Sequence, residues 1–145
     1  MTSRVVVLGS ETLSELSRGN PTIRVHAAEY LEEHGALMST AVSVFERLRG
    51  YREAVRKGKP FEEHLRKFQA LVTTCRVLPV DETVAAHAAI IWAGLSKKAR
   101  RALGDILIAA TASAFNLPLV TRNRRDFVPM TEIEGTRLSL IDWTR

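Results

Sequence analysis

The chain has 145 residues, a length that fits one domain with a full hydrophobic core. Its apolar fraction of 46% and charged fraction of 26% are typical of a globular protein. No apolar run approaches the roughly 20 residues that are needed to span a bilayer, so we expect no membrane partner. The net charge of +5 is compatible with a polyanionic partner but does not by itself establish one.

The N-terminal residues 1–8 lack the long apolar region and the cleavage site of a signal peptide. The one cysteine, Cys75, excludes an internal disulfide, and both features favour a cytoplasmic protein. Cys75 follows a helical pattern, so we interpret it as a packing residue and not as a catalytic thiol. No repeat or long linker divides the chain, which predicts a single domain over residues 1–145.

Short apolar runs alternate with helical segments along the chain. The runs typical of strands lie at 5–8, 36–39, 76–80, 119–120 and 137–141. The helical segments carry apolar residues at spacings of three and four, as at Phe61, Leu65, Phe68 and Val72. Thr40 and Asp81 are expected helix N-caps. This alternation predicts an α/β fold, a three-layer α/β/α sandwich with a central, mostly parallel sheet and the last strand at an edge.

Two carboxylates lie in residues 104–127, the most informative part of the sequence. Residues 104–112 form an apolar, alanine-rich helix that opens on Asp105, and the strand at 119–120 runs into a polar loop that holds Asp126. Ligands bind at the carboxyl ends of parallel strands, where Ser10, Thr121 and Asn123 are also expected. Two acids at this edge suggest a divalent metal ion.

Glu46 is a third acid that can reach this edge. It lies in the helix that begins near Thr40, next to Phe45 and so beside the apolar face. Each acid alone also has a purely structural interpretation: Asp105 can cap its helix, Asp126 can cap a turn, and Glu46 can pair with Arg49. Their convergence on one edge of the sheet favours function.

Four segments, in this order and spacing, resemble PIN-domain ribonucleases, and most closely the VapC-type toxins of bacterial toxin–antitoxin pairs. They are the first strand with its helix, then residues 38–50, 104–112 and 119–127. The resemblance implies a PIN-like fold and a metal-dependent endoribonuclease that cleaves RNA phosphodiester bonds with Mg²⁺ or Mn²⁺. It also implies a cognate antitoxin that covers the pocket, and a homodimer.

The resemblance further implies roles for individual residues. Glu46, Asp105 and Asp126 take the positions of metal-binding acids, Asn123 and Thr121 take polar catalytic positions, and Ser10 provides the hydroxyl next to the first acid. Hard divalent ions prefer carboxylate oxygens and keep several waters. Such an ion can activate a water molecule and offset charge on the attacked phosphate.

Gly9 departs from the family pattern, in which an aspartate ends the first strand. It therefore stands at the position of a lost metal ligand. Three interpretations are open. The glycine is a substitution that disables a toxic nuclease, which we favour; or the chain is a degenerate member that binds without cutting; or Glu11 or a water fills the gap, which for Glu11 requires an extended backbone.

Basic residues surround the predicted pocket. Arg49 and Arg52 lie on one helix face, and Arg122, Arg124 and Arg125 flank the acids, so we predict that these five arginines bind RNA. Aromatic residues are few and not interleaved with the basic runs, so base stacking is not expected. Phe61, Phe68 and Trp92 are interpreted as packing residues. The four histidines have no metal-ligand spacing, which argues against a zinc site.

Two alternatives compete with a nuclease. The first is a non-catalytic PIN-like module that binds RNA or protein, which Gly9 favours. The second is a receiver-like phosphoacceptor domain, which also places acids at strand ends. A receiver-like domain normally needs an acidic pair after the first strand, and Gly9 and Ser10 do not supply one.

Overall fold

The computed structural model describes residues 4–145 and has a five-stranded sheet at its centre. Every strand pairing is parallel, and the strand order is β3-β2-β1-β4-β5. The strands are β1 (Val7–Leu8), β2 (Met38–Thr40), β3 (Arg76–Leu78), β4 (Leu119–Val120) and β5 (Leu140–Ile141). The last strand lies at an edge, as the sequence predicts.

Helices connect the strands. They are α1 (Ser10–Ser17), α2 (Pro21–His34), α3 (Ala41–Arg56), α4 (Glu62–Thr74), α5 (Glu82–Gly94), α6 (Leu103–Ala114) and α7 (Arg124–Thr131), with a 3-10 turn at Ala99–Arg101. Both predicted caps are present, because Thr40 accepts a hydrogen bond from the Ser43 N–H and Asp81 accepts one from the Val84 N–H, each at 2.9 Å.

The two faces of the sheet carry separate hydrophobic cores. Val7 and Leu119 point into a core that is completed by α5, α6 and α7. Their neighbours Leu8 and Val120 point the other way, into a core with α1 to α4. This alternation along two buried strands is what a sheet covered on both sides requires. The three-layer α/β/α sandwich is therefore confirmed.

The prediction of a polar loop after β4 is wrong, because this segment forms the helix α7. Asn123 caps this helix by accepting a hydrogen bond from the Asp126 N–H at 3.4 Å. Phe127 and Met130 are buried and attach α7 to the core. A polar sequence followed by two apolar anchors at a spacing of three is thus a short amphipathic helix.

Two aromatic side chains lie in unexpected places. Trp92, interpreted as a packing residue, is 45% exposed, and its ring packs against the Arg100 guanidinium, which lies 3.8 Å from the ring centre. Phe45, expected on the apolar face of α3, is 58% exposed. Cys75 is half-buried, and burial raises the pKa of its thiol, which keeps it protonated and unreactive.

Within residues 4–145 no helix is long and apolar enough to cross a membrane. The single domain predicted over residues 1–145 includes residues 1–3, which lie outside the described part of the chain.

Candidate active site

The strand order reverses between β1 and β4, which are neighbours in the sheet. From β1 the chain adds β2 and β3 on one side, and then β4 and β5 on the other. Gly9 directly follows β1, and its N–H donates to the Val120 carbonyl at 3.0 Å, while Thr121 directly follows β4. Gly9 is also the N-cap of α1, with φ −71° and ψ 172°, and it provides no side-chain cap. Such a switch point is where open parallel sheets bind their ligands.

Glu46 and Asp105 meet at this switch point from opposite faces of the sheet. Glu46 projects from α3 with its side chain 20% exposed, and Asp105 lies in the first turn of α6. Both border a cavity of about 290 Å³ that Gly9, Ser10, Thr121 and Asn123 also line. We name this cavity the acidic pocket. Five of the six predicted catalytic residues, all except Asp126, therefore line this one cavity together with Gly9.

Asp126 belongs to the surroundings of this pocket and does not line it. The carboxylate is exposed, and its Oδ2 accepts a hydrogen bond from Asn123 Nδ2 at 2.9 Å. Asn123 is oriented in turn, because its backbone N–H donates to Thr121 Oγ1 at 3.0 Å. The three polar side chains after β4 thus form one hydrogen-bonded unit that holds Asp126 at the rim.

The electrostatics of the pocket are dominated by its acids. Burial, followed by the negative charges of Glu46 and Asp126, raises the pKa of Asp105 to about 6. Ionisation of this carboxyl group at neutral pH is opposed by its burial and by the negative charges of its neighbours. The pocket therefore favours either a bound cation or a bound proton.

The protein side chains of this pocket can hold a metal ion only if a bound phosphate supplies further oxygen ligands. Within residues 4–145 no three His, Cys, Asp or Glu side chains lie close enough together to hold a metal ion. Glu46 and Asp105 supply two carboxylates, and Mg²⁺ is commonly held by one or two carboxylates together with substrate phosphates. The residues present thus fit an ion shared with a phosphate, and not an ion enclosed by protein alone.

Gly104 is a site residue that the sequence does not indicate. A Cβ at this position would overlap the Oε2 atom of Glu46 and lie 2.9 Å from its Cδ. The Glu46 carboxylate therefore rests against the bare Cα of the residue that precedes Asp105. The glycine is needed for this close approach and not for its backbone angles.

The predicted RNA-binding arginines occupy different surroundings. Arg49 lines the acidic pocket and lies 4.0 Å from Glu46, whereas Arg52 is exposed further along α3 and is not among the lining residues. Arg124 and Arg125 are exposed in the first turn of α7. Arg122 is engaged by two acids of α1: its Nη2 lies 2.7 Å from Glu11 Oε1 and 2.6 Å from Glu15 Oε1.

The same ion pairs bear on the suggestion that Glu11 replaces the lost acid. This replacement requires an extended backbone after Gly9, but α1 begins at Ser10. The Glu11 carboxylate accepts two hydrogen bonds from Arg122, at 3.2 and 2.7 Å. Glu11 borders the acidic pocket, yet its charge is directed to an arginine.

The raised pKa of Asp105 leads to a test by stability. Between its ordinary value of 3.8 and about 6, the folded chain keeps a proton that the unfolded chain releases. In the presence of a chelator, this group therefore makes the folded state more stable as the pH falls from 7.5 to 5. We expect Asp105→Asn to remove this rise and to stabilise the chain at pH 7.5 by on the order of 1 kcal/mol, after allowance for partial exposure.

Urea unfolding at several pH values measures this effect. Glu32→Gln, a change at an exposed glutamate of α2, is the matched control and should retain the pH dependence. An Asp105→Asn chain with an unaltered pH profile would show that burial and the neighbouring acids do not raise the pKa of Asp105.

Comparison with known proteins agrees with this geometry. The family model for the PIN domain matches residues 6–130. Ribonuclease VapC1 of Haemophilus influenzae is 24% identical over 143 residues, which are 97% of this chain and 99% of that protein. The chain belongs to the PIN domain family.

Several solved structures have the same overall fold as this chain. The DNA-bound VapBC of Salmonella typhimurium gives a TM-score of 0.77 at 22% identity, covering 97% of this chain and 99% of that one. VapBC2 of Rickettsia felis, bound to a promoter DNA fragment, gives 0.76 at 20% identity, with 95% and 98% covered. These structures share the fold of this chain. Membership of the PIN domain family rules out the receiver-like alternative.

Proposed function

We propose that this chain is a metal-dependent endoribonuclease toxin whose activity is impaired by Gly9. The observation that carries the proposal is the meeting of Glu46 and Asp105 in one pocket at the switch point of a PIN sheet. The likeness over its whole length to a protein named as a ribonuclease supports the same conclusion. The substrate class is RNA, and the reaction is hydrolysis of a phosphodiester bond.

Glu46 and Asp105 are the residues that would hold Mg²⁺ or Mn²⁺, with Asp126 at the rim as a third acid. When bound, the ion supplies an activated water and offsets charge on the phosphate. The hydrogen bonds from Thr121 through Asn123 to Asp126 keep the rim acid in place. The Ser10 hydroxyl and Arg49 lie on the wall where a phosphate would enter. Arg49 can contact that phosphate directly.

The partners follow from the same proposal. The structural neighbours from Salmonella and Rickettsia are VapBC proteins, which supports a cognate antitoxin for this chain. We propose that the antitoxin covers the acidic pocket, that the toxin is a homodimer and that it acts in the cytoplasm. Size-exclusion chromatography with light scattering tests the dimer.

Cleavage of RNA by the repaired chain tests the function. We expect Gly9→Asp to cut a mixed-sequence single-stranded RNA with Mg²⁺ or Mn²⁺, and a chelator to stop it. The double variant Gly9→Asp/Asp105→Asn is the inactive control and excludes a contaminating nuclease. If Gly9→Asp neither cuts RNA nor binds a divalent ion, the nuclease proposal is wrong.

Two observations favour a second candidate, a PIN-like module that binds RNA or protein without cutting. Position 9 is a glycine, and within residues 4–145 no three acids converge on one point. RNA binding that persists in Gly9→Asp, without cleavage or metal binding, would support this module. The two candidates therefore separate in the same experiment.

A further inference from the structure

Phe45 presents an exposed aromatic ring next to the acidic pocket. It is 58% exposed although it stands one position before Glu46 on α3. The Arg49 guanidinium lies 5.3 Å from the centre of the ring, on the same face of the helix. An exposed ring beside an arginine differs from a core aromatic, and this pair is common where proteins bind single-stranded nucleic acid.

A second cavity lies beside this ring. It has a volume of about 510 Å³ and is bordered by α3 and by the start of α6. Its apolar wall includes Val42, Phe45, Leu103 and Leu107, and Arg49 and Arg101 also line it. We name it the apolar pocket. This volume lies within the range of about 300–1,000 Å³ that is typical of small-molecule sites.

The two pockets have residues in common. Glu46, Arg49 and Asp105 line both of them, so one molecule can occupy both at once. One half of the combined site is acidic and suited to a phosphate shared with a cation, and the other half is apolar with arginines. This division matches the two halves of a nucleotide, a charged phosphate and a flat apolar base.

We propose that the apolar pocket binds a nucleobase adjacent to the scissile phosphate, with the base stacked on Phe45 and the neighbouring phosphate held by Arg49. The inference rests on the proposed function and extends it by naming the residue that contacts the base. Arg49 and Arg101 offer contacts to phosphates beside the exposed ring, whereas Glu46 and Asp105 lie at the border shared with the acidic pocket, where a cation would accompany the phosphate. Every base has a π-face, so the stack accepts all four bases.

Binding of labelled oligonucleotides tests the stack without requiring cleavage. The probes are a fluorescein-labelled 12-residue oligouridylate and an abasic ribose-phosphate oligomer of equal length, measured by fluorescence anisotropy in chelator. We expect the unaltered chain to prefer oligouridylate. Phe45→Ala should bind it at least about five-fold more weakly, which is the lower end expected for loss of one stack, and should lose most of the preference.

Two further variants make the result specific. Phe45→Trp should restore affinity, and its fluorescence should be quenched by oligouridylate more strongly than that of the unaltered chain, which already contains Trp92 and Trp143, but not by the abasic oligomer. Phe115→Ala is the matched control, because Phe115 is also an exposed phenylalanine, at 41%, but follows the far end of α6. Its affinity should stay within about two-fold of the unaltered chain.

The outcomes separate this inference from the function on which it rests. If Phe45→Ala binds oligouridylate as tightly as the unaltered chain, the base-stacking inference is wrong, and the exposed ring is better explained by contact with a protein. Cleavage of RNA by Gly9→Asp would still support the proposed function. If neither the unaltered chain nor Gly9→Asp binds or cuts RNA, both the function and the inference fail.

Discussion

Replacing Gly9 by aspartate is expected to create a metal-binding site with at least about ten-fold higher affinity for Mn²⁺ than the unaltered chain. Even changes in the groups that orient a metal ligand alter affinity by about 10–100-fold, and here a whole carboxylate is added. The backbone at Gly9 is extended, with φ −71°, so aspartate is sterically ordinary there. Its Cβ would lie 3.2 Å from the Val120 carbonyl oxygen, which a shift of a few tenths of an ångström relieves.

Thermal unfolding detects this metal site directly. An ion that binds only the folded state at 100 times its dissociation constant stabilises it by about 2.7 kcal/mol. For a chain of this length we expect a rise in Tm of about 5–10 °C with Mn²⁺. In chelator the added charge should lower stability, because it faces Glu46 and Asp105 across the acidic pocket.

Gly9→Asn is the matched control for this experiment. Position 9 is the N-cap of α1 and has no side-chain cap, and asparagine and aspartate cap helices about equally well. Asparagine therefore supplies the cap without the charge, and Gly9→Asn should be stabilised equally with and without metal. A metal-dependent rise in Tm that is the same in both variants would contradict the assignment of Gly9 to a ligand position.

Replacing Gly104 by alanine in the Gly9→Asp chain is expected to lower RNA cleavage by about 10²-fold while leaving the fold intact. The new methyl group would take the place of the Glu46 carboxylate, and a displacement of about 1 Å of a catalytic group is enough for such a loss. The cost to folding is small because the end of the glutamate side chain is flexible and can swing aside. Initial cleavage rates, with unfolding curves of the same samples, measure both effects.

Gly50→Ala provides the control for adding a methyl group to a helix. Gly50 lies within α3, and a Cβ there meets nothing within 4 Å. This change should stabilise the chain by about 0.5–1 kcal/mol and leave cleavage unaltered. If Gly104→Ala cleaves as fast as Gly50→Ala, the Glu46 carboxylate does not need its place against Gly104.

Local patterns were sufficient to predict the strands and most helices. β-branched runs and spacings of three and four report burial directly, and Thr40 and Asp81 have side chains that cap by their own chemistry. The helix α7 was missed because its first turn is polar and Pro129 lies inside it. Its stability comes from burial of Phe127 and Met130, which the sequence of the segment does not display.

The site was less predictable because its details depend on contacts between distant segments. Val44 and Phe45 are adjacent and equally apolar, so periodicity did not show that Phe45 is the more exposed of the two. The role of Gly104 depends on a side chain 58 positions earlier (104 minus 46), and no local signal announces it. Glu11 and Glu15 lie one helical turn apart on α1, and nothing in the sequence near them shows that both pair with Arg122.

The double ion pair of Arg122 has a consequence for how this protein responds to salt. A free arginine that binds a phosphate releases a condensed counterion from the nucleic acid, and so makes affinity fall as salt is added. Arg122 already has its counterions built into the protein, as the carboxylates of Glu11 and Glu15. A phosphate would have to displace these fixed anions, so Arg122 adds less attraction for RNA than Arg124 or Arg125. The number of arginines around the pocket therefore overstates the charge that this surface offers to a polyanion.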